Sequence, residues 1–146
     1  MEIGSTIYKQ FYQKVIPLNE MTGLQWFALT ENYGSSYGEI LKTYEFIKKP
    51  KLLDIGNGNI REKIEEFILP YDSSILIYSD PDEQYSGGRS NKIYHELVKK
   101  YFEKEYDGTI IDESKLVPSP KYLKDDLEGP SEIVLWKDFN VLLREI

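Results

Sequence analysis

The sequence predicts a single α+β domain, and three observations carry that prediction. Short β-branched and aromatic runs recur at 5–12, 24–30, 39–47, 51–55, 74–79, 108–111 and 132–137. Only two stretches, 60–69 and 92–103, repeat apolar residues at spacings of three and four. The chain has 146 residues, the size of one domain, with no internal repeat and no low-complexity tail.

Taken in order, STIYKQFY (5–12) reads as a first strand, and Pro17 and Gly23 mark the loop after it. LQWFALT (24–30) is a second strand. Thr30 is placed to cap a helical turn in the polar segment TENYGSSYGEI. EILKTYEFI (39–47) is a third strand, with Ile40, Tyr44 and Phe46 as core candidates, and KLLDI (51–55) a short buried one. IREKIEEFIL (60–69) puts Ile60, Ile64, Phe67 and Ile68 on one helical face, and Pro70 stops that helix. SILIYS (74–79) reads as a strand, and DPDEQYSGGRSN (80–91) as a loop of turn formers. KIYHELVKKYFE (92–103) is the strongest helix, with Ile93, Leu97, Val98 and Tyr101 as its apolar stripe. GTII (108–111) is a strand, 112–131 a long loop with three prolines, EIVLWK (132–137) a strand, and FNVLLREI a closing strand.

Composition excludes several function classes. No cysteine is present, so disulfides, thiolate catalysis and cysteine-based metal sites are excluded. The single histidine, His95, excludes any site built on two imidazoles. A net charge of −7 disfavours a general nucleic-acid surface, which needs clustered Lys and Arg. No uninterrupted apolar run is long enough to cross a membrane as a helix, and the N-terminus lacks a signal-peptide pattern; an intracellular, cytoplasmic setting is expected. His95 reads as structural, Arg89 as a solvated loop residue, and Asp80, Asp82 and Glu83, like Asp125, Asp126 and Glu128, as acidic turns without metal-ligand spacing; no metal is expected.

Two motifs point to function. In LLDIGNGNI (52–60) a strand ends in Asp54, Gly56 and Gly58 follow, and a helix begins. Rossmann-type methyltransferases use such a turn for S-adenosylmethionine, because glycines let the backbone approach the cofactor. The plain structural alternative is a helix N-terminus capped by Asn57 or Asn59. Ile60 stands where close helix–strand packing would want Gly or Ala.

The second pattern is spread over the chain. It consists of Thr6-Ile7-Tyr8-Lys9, then Gly23-Leu24-Gln25-Trp26-Phe27-Ala28-Leu29-Thr30 with Ser35-Ser36-Tyr37-Gly38, then Ser131-Glu132-Ile133-Val134-Leu135-Trp136. In this order the segments resemble the ADP-ribosyltransferase superfamily, which includes the diphtheria-toxin-like and poly(ADP-ribose)-polymerase-like enzymes. The resemblance implies two curved antiparallel sheets around a cleft, and NAD as the substrate of a mono-ADP-ribosyltransferase or the ligand of an inactive descendant. It implies Glu132 as the catalytic carboxylate and Tyr37 stacked on nicotinamide, with Trp26 as a further ring. Tyr8 and Lys9 fall on the ribose–phosphate side, and Ser36 lies beside the stacking tyrosine. Lys9 stands where the family has His or Arg, and Gln10 where it has Gly. The resemblance also fits a virus-encoded effector whose acceptor is a host protein. A non-enzymatic interaction module, using exposed tyrosines, is the third reading.

Overall fold

The computed structural model describes residues 1–31, 38–80, 88–129 and 131–146. Among the described residues seven strands form one sheet in the order β4-β5-β6-β2-β1-β3-β7. They are β1 Thr6–Phe11, β2 Gln25–Ala28, β3 Ile40–Phe46, β4 Leu52–Asp54, β5 Gly108–Ile111, β6 Glu132–Leu135 and β7 Leu143–Glu145. All neighbours are antiparallel except β4 and β5. The α+β class is therefore as expected; the described strands make one sheet where two were anticipated. Among the described residues no helix is long and apolar enough to cross a membrane.

Among the described residues five α-helices accompany the sheet: α1 Gly58–Ile68, α2 Ile75–Tyr78, α3 Gly88–Phe102, α4 Lys124–Leu127 and α5 Phe139–Leu142. The Asn57 side chain caps α1, accepting from the N–H groups of Asn59 and Ile60. α1 ends at Ile68, two residues before Pro70, as a proline stop requires.

Strand alternation divides the core into two layers. One face of the sheet carries Ile7, Phe11, Phe27, Tyr44, Phe46, Ile133 and Leu135, closed over by Met21, Phe139 and Leu142. The other face receives α1, α2 and α3, whose Ile64, Ile68, Ile75, Tyr94 and Val98 pack with Leu53 and Trp136. Tyr44 and Phe46 are buried as expected, with half-buried Ile40 beside them.

Several sequence expectations are corrected. SILIYS is not a strand: Ile75–Tyr78 is a single helical turn. Asp72 Oδ1 accepts from both the N–H and the hydroxyl of Ser74, which starts a turn, and only Ile75 of the four is buried. The 92–103 helix begins earlier, at Gly88, so the last part of the expected 80–91 loop is helical; 81–87 lie outside the described residues. Its buried line is Tyr94, His95 and Val98, with Ile93, Leu97 and Tyr101 flanking it half-buried. Phe67 is 51% exposed, its ring against Phe102 and Tyr71 rather than in the core. FNVLLREI is a helical turn followed by β7, with Asp138 in the left-handed region (φ 56°) turning the chain between β6 and α5. The expected turn capped by Thr30 falls largely on 32–37, outside the described residues.

Candidate functional site

The glycine turn is filled by the chain itself. Gly56 N–H donates to Asp54 Oδ1 at 3.1 Å, Gly58 N–H to the Val117 carbonyl at 2.7 Å, and Val117 N–H to the Gly56 carbonyl at 3.0 Å. A Cβ on Gly58 would lie 2.6 Å from Ser119 Oγ, and one on Gly56 3.2 Å from Leu116. Gly58 is required because Ser119 packs directly against the turn, whereas a Cβ at Gly56 would be tight against the Leu116 side chain without being barred. Burial raises the Asp54 carboxyl above its ordinary range, against the lowering pull of the Gly56 N–H. The backbone groups a cofactor would meet are thus already engaged.

The other pattern is gathered by the sheet. Its three segments, far apart in sequence, become the adjacent strands β6, β2 and β1. Pairing of Tyr8 with Ala28, and of Ala28 with Glu132, sets Tyr8 and Glu132 on one face in one row. Two inter-strand spacings separate them, about 10 Å. Trp26, paired with Val134, shares that face. It is the helix-bearing face, since the Trp26 ring meets His95 of α3 edge-on at 5.8 Å.

Lys9 is placed apart from them. One residue after Tyr8, it points to the opposite face. Its ammonium lies 5.2 Å from the Phe27 ring centre and donates to the Trp26 carbonyl at 3.0 Å. Burial pushes the Lys9 amine down to about 8. Tyr8 keeps its hydroxyl 3.3 Å from Thr6 Oγ1. Ser36 and Tyr37 lie outside the described residues.

Glu132 opens β6 and is held from α3. Burial raises its carboxyl to about 7, while a hydrogen bond from the Asn91 side chain pulls the other way. Asn91 also acts through its backbone: its carbonyl accepts from His95 Nδ1–H at 2.8 Å. That assigns the second ring nitrogen as acceptor, and His95 Nε2 accepts a hydrogen bond from the Thr109 hydroxyl at 3.1 Å. Burial pushes the imidazole down to about 4, so it is neutral at physiological pH. A chain of contacts therefore runs Glu132–Asn91–His95–Thr109 across α3, β5 and β6.

An open cleft of about 540 Å³ lies where β2 and β5 end and β6 begins, lined by Leu29, Thr30, Asp112, Glu113, Ser114 and Ser131. Ser131 immediately precedes Glu132, the first residue of β6, but the Glu132 side chain is not among those lining the cleft. The Ser131 hydroxyl accepts from Glu113 N–H at 2.9 Å and its carbonyl from Leu29 N–H at 3.1 Å, which ties the walls together. A buried carboxylate of raised affinity for protons, with a neutral amide donor and an indole on the same face, can stabilise a developing cation or pass a proton.

Sequence reasoning missed Asn91, which it placed in a loop, while its structural reading of His95 agrees with the buried ring and its two hydrogen bonds. The signal that would have found Asn91 is its spacing: residues 91 and 95 are one helical turn apart, but only once the helix is known to start at Gly88. Among the described residues no group of three His, Cys, Asp or Glu is placed to hold a metal. No protein-family model matches the chain, and neither a curated protein nor a solved structure matches it.

Proposed function

We propose that the chain binds NAD on the helix-bearing side of its sheet and acts as a mono-ADP-ribosyltransferase, with Glu132 at the nicotinamide ribose. One observation carries this reading: the three segments that resemble the ADP-ribosyltransferases lie side by side as β6, β2 and β1, with Glu132, Trp26 and Tyr8 on a common face. On the same reading the sheet is of the ADP-ribosyltransferase type, and these strands form the floor of its cleft.

Cleavage of the ribose–nicotinamide bond passes through an oxocarbenium-like transition state. An ionised carboxylate beside the ribose stabilises that positive charge. With its carboxyl near 7 in the free protein, Glu132 is poised between forms. The positive nicotinamide of bound NAD favours the carboxylate, and the Asn91 amide holds one oxygen in place. Trp26 offers a ring to the nicotinamide side. Lys9, on the other face, takes no part in this arrangement.

The test is nicotinamide release from NAD, together with melting shifts from NAD, ADP-ribose and S-adenosylmethionine. Glu132→Gln is expected to lower nicotinamide release by about 100-fold or more while keeping the NAD melting shift. Absence of any NAD or ADP-ribose shift sinks the proposal. A shift from S-adenosylmethionine that Gly56→Val abolishes would return the glycine turn to consideration, and no shift from any ligand would favour an interaction module.

A further inference from the structure

A second buried polar cluster lies beside the Glu132 network and is not used by it. Arg61 and Glu65, one turn apart on α1, are 2% and 3% exposed. The guanidinium sits against two rings, 5.1 Å from that of Tyr94 and 4.7 Å from that of Tyr122. Glu65 Oε1 accepts from the Tyr122 hydroxyl and, at 2.9 Å, from the Lys121 ammonium. The Tyr122 hydroxyl also lies 3.2 Å from the Ser79 carbonyl. The other carboxylate oxygen, Oε2, is 3.7 Å from Arg61 Nε, beyond hydrogen-bond reach.

By hydrogen-bond geometry Arg61 Nε, Arg61 Nη2, Glu65 Oε2, Ser79 Oγ and the Tyr94 hydroxyl are all buried with no partner, although the Arg61 guanidinium lies near enough to the Tyr94 hydroxyl to pull against the rise that burial imposes on it. Among the described residues only Gln10 Oε1 adds to that set. Unpaired buried polar groups are costly and rare, so their concentration at one point asks for a physical cause. The set holds two guanidinium N–H groups that only donate, two hydroxyls that can donate or accept, and one carboxylate oxygen, Glu65 Oε2, that only accepts. Arg61 and Lys121 against Glu65 leave one positive charge over, in a chain whose net charge is −7.

We propose that this cluster binds a phosphate that still carries a proton. Phosphate oxygens accept from Arg61, Tyr94 and Ser79, and the P–O–H group donates to Glu65 Oε2. Its negative charge offsets the surplus positive one. Sulfate, which has no proton at neutral pH, would face Glu65 with two acceptors opposed. Lys121, with its side chain 41% exposed, is the outermost member and reaches in to Glu65. The site stands independently of the NAD reading. Inorganic phosphate and a phosphomonoester share the required chemistry.

The experiment uses the whole chain in phosphate-free buffer at constant ionic strength, following thermal melting and binding heat with inorganic phosphate, methyl phosphate and sulfate. Inorganic phosphate is expected to raise the melting temperature saturably, and sulfate to bind at least about tenfold more weakly. Methyl phosphate matching inorganic phosphate assigns a phosphomonoester; its failure assigns the free anion. Tyr94→Phe and Ser79→Ala are each expected to weaken phosphate about tenfold. Without phosphate both melt at or above wild type, since each removes an unpartnered hydroxyl. Sulfate equal to phosphate, no saturable shift, or variants that lower melting equally with and without phosphate would overturn the proposal.

Discussion

The two faces of the sheet are built from the same strands and differ sharply. On one, Phe27 meets Tyr44 edge-on at 5.7 Å within a layer of Ile7, Phe11, Phe46, Ile133 and Leu135, and the polar intruder is Lys9. On the other, Glu132, Thr109, His95, Arg61 and Glu65 are buried or nearly so, joined through Asn91, Tyr94 and Tyr122. Packed apolar surface contributes stability without special geometry, whereas buried polar groups lower it unless their partners are in place. The difference teaches where to look for chemistry: the helix-bearing face carries polar groups that a merely stable fold would do better without.

Four substitutions sharpen or break that contrast. The largest effect is expected on the apolar face: Phe27→Ala should lower unfolding free energy by about 3–5 kcal/mol in urea denaturation, through the cavity it leaves. On the helix-bearing face the sign reverses. Glu132→Gln should stabilise the protein at pH 8 by roughly 2–3 kcal/mol, because an ionised carboxylate no longer has to be buried. A destabilised Glu132→Gln variant would mean that the carboxylate serves the fold.

The pH dependence gives a finer test of the same pair of groups. Glu132 has a folded value of about 7 against an ordinary 4.5, so its contribution falls as pH rises through that window. His95, at about 4 against an ordinary 6.5, contributes stability that is lost as pH falls from 6.5 to 4. The two slopes oppose each other between pH 4.5 and 6.5, where wild-type stability should be nearly flat. In Glu132→Gln the His95 slope alone should appear, with stability rising over that range; a slope as flat as wild type would break the assignment.

Smaller still, Lys9→Met should raise stability at pH 7 by about 1–2 kcal/mol, since an ammonium of lowered affinity for protons is replaced by an apolar chain among Phe11 and Phe27. The gain should shrink toward pH 10, where folded Lys9 is already neutral. Smallest is Asn91→Ala, expected to cost about 1 kcal/mol and to move the Glu132 carboxyl midpoint further up in an NMR titration. An unmoved midpoint would detach Asn91 from the site.

Much of the fold was legible in the chain. β1, β2, β3, β5 and β6 announce themselves by β-branched and aromatic runs, and α1 by its apolar period and Pro70. What was not legible has identifiable reasons. Four apolar residues at 75–78 are too few for periodicity to separate a strand from a helical turn, and Asp72 decided it from outside the run. Gly88–Asn91 carries turn-forming residues yet starts α3, so Asn91 could not be seen one turn before His95. Arg61 and Glu65 lie off the apolar stripe that the sequence shows on α1, and they are buried because the 119–122 segment folds over them.

By itself, the sequence determined which segments could be strands and helices, the absence of thiol and paired-imidazole chemistry, and the three segments that carry the transferase resemblance. Those follow from local periodicity and residue type, which need no partner. Only the tertiary structure decided that β6, β2 and β1 are neighbours, that Glu132 and Tyr8 share a face while Lys9 lies behind it, and that residues 116–119 cover the glycine turn. The face a strand residue occupies depends on pairing register, and a shift by one residue reverses it. Register is settled by contacts between segments a hundred residues apart, and no local pattern encodes it.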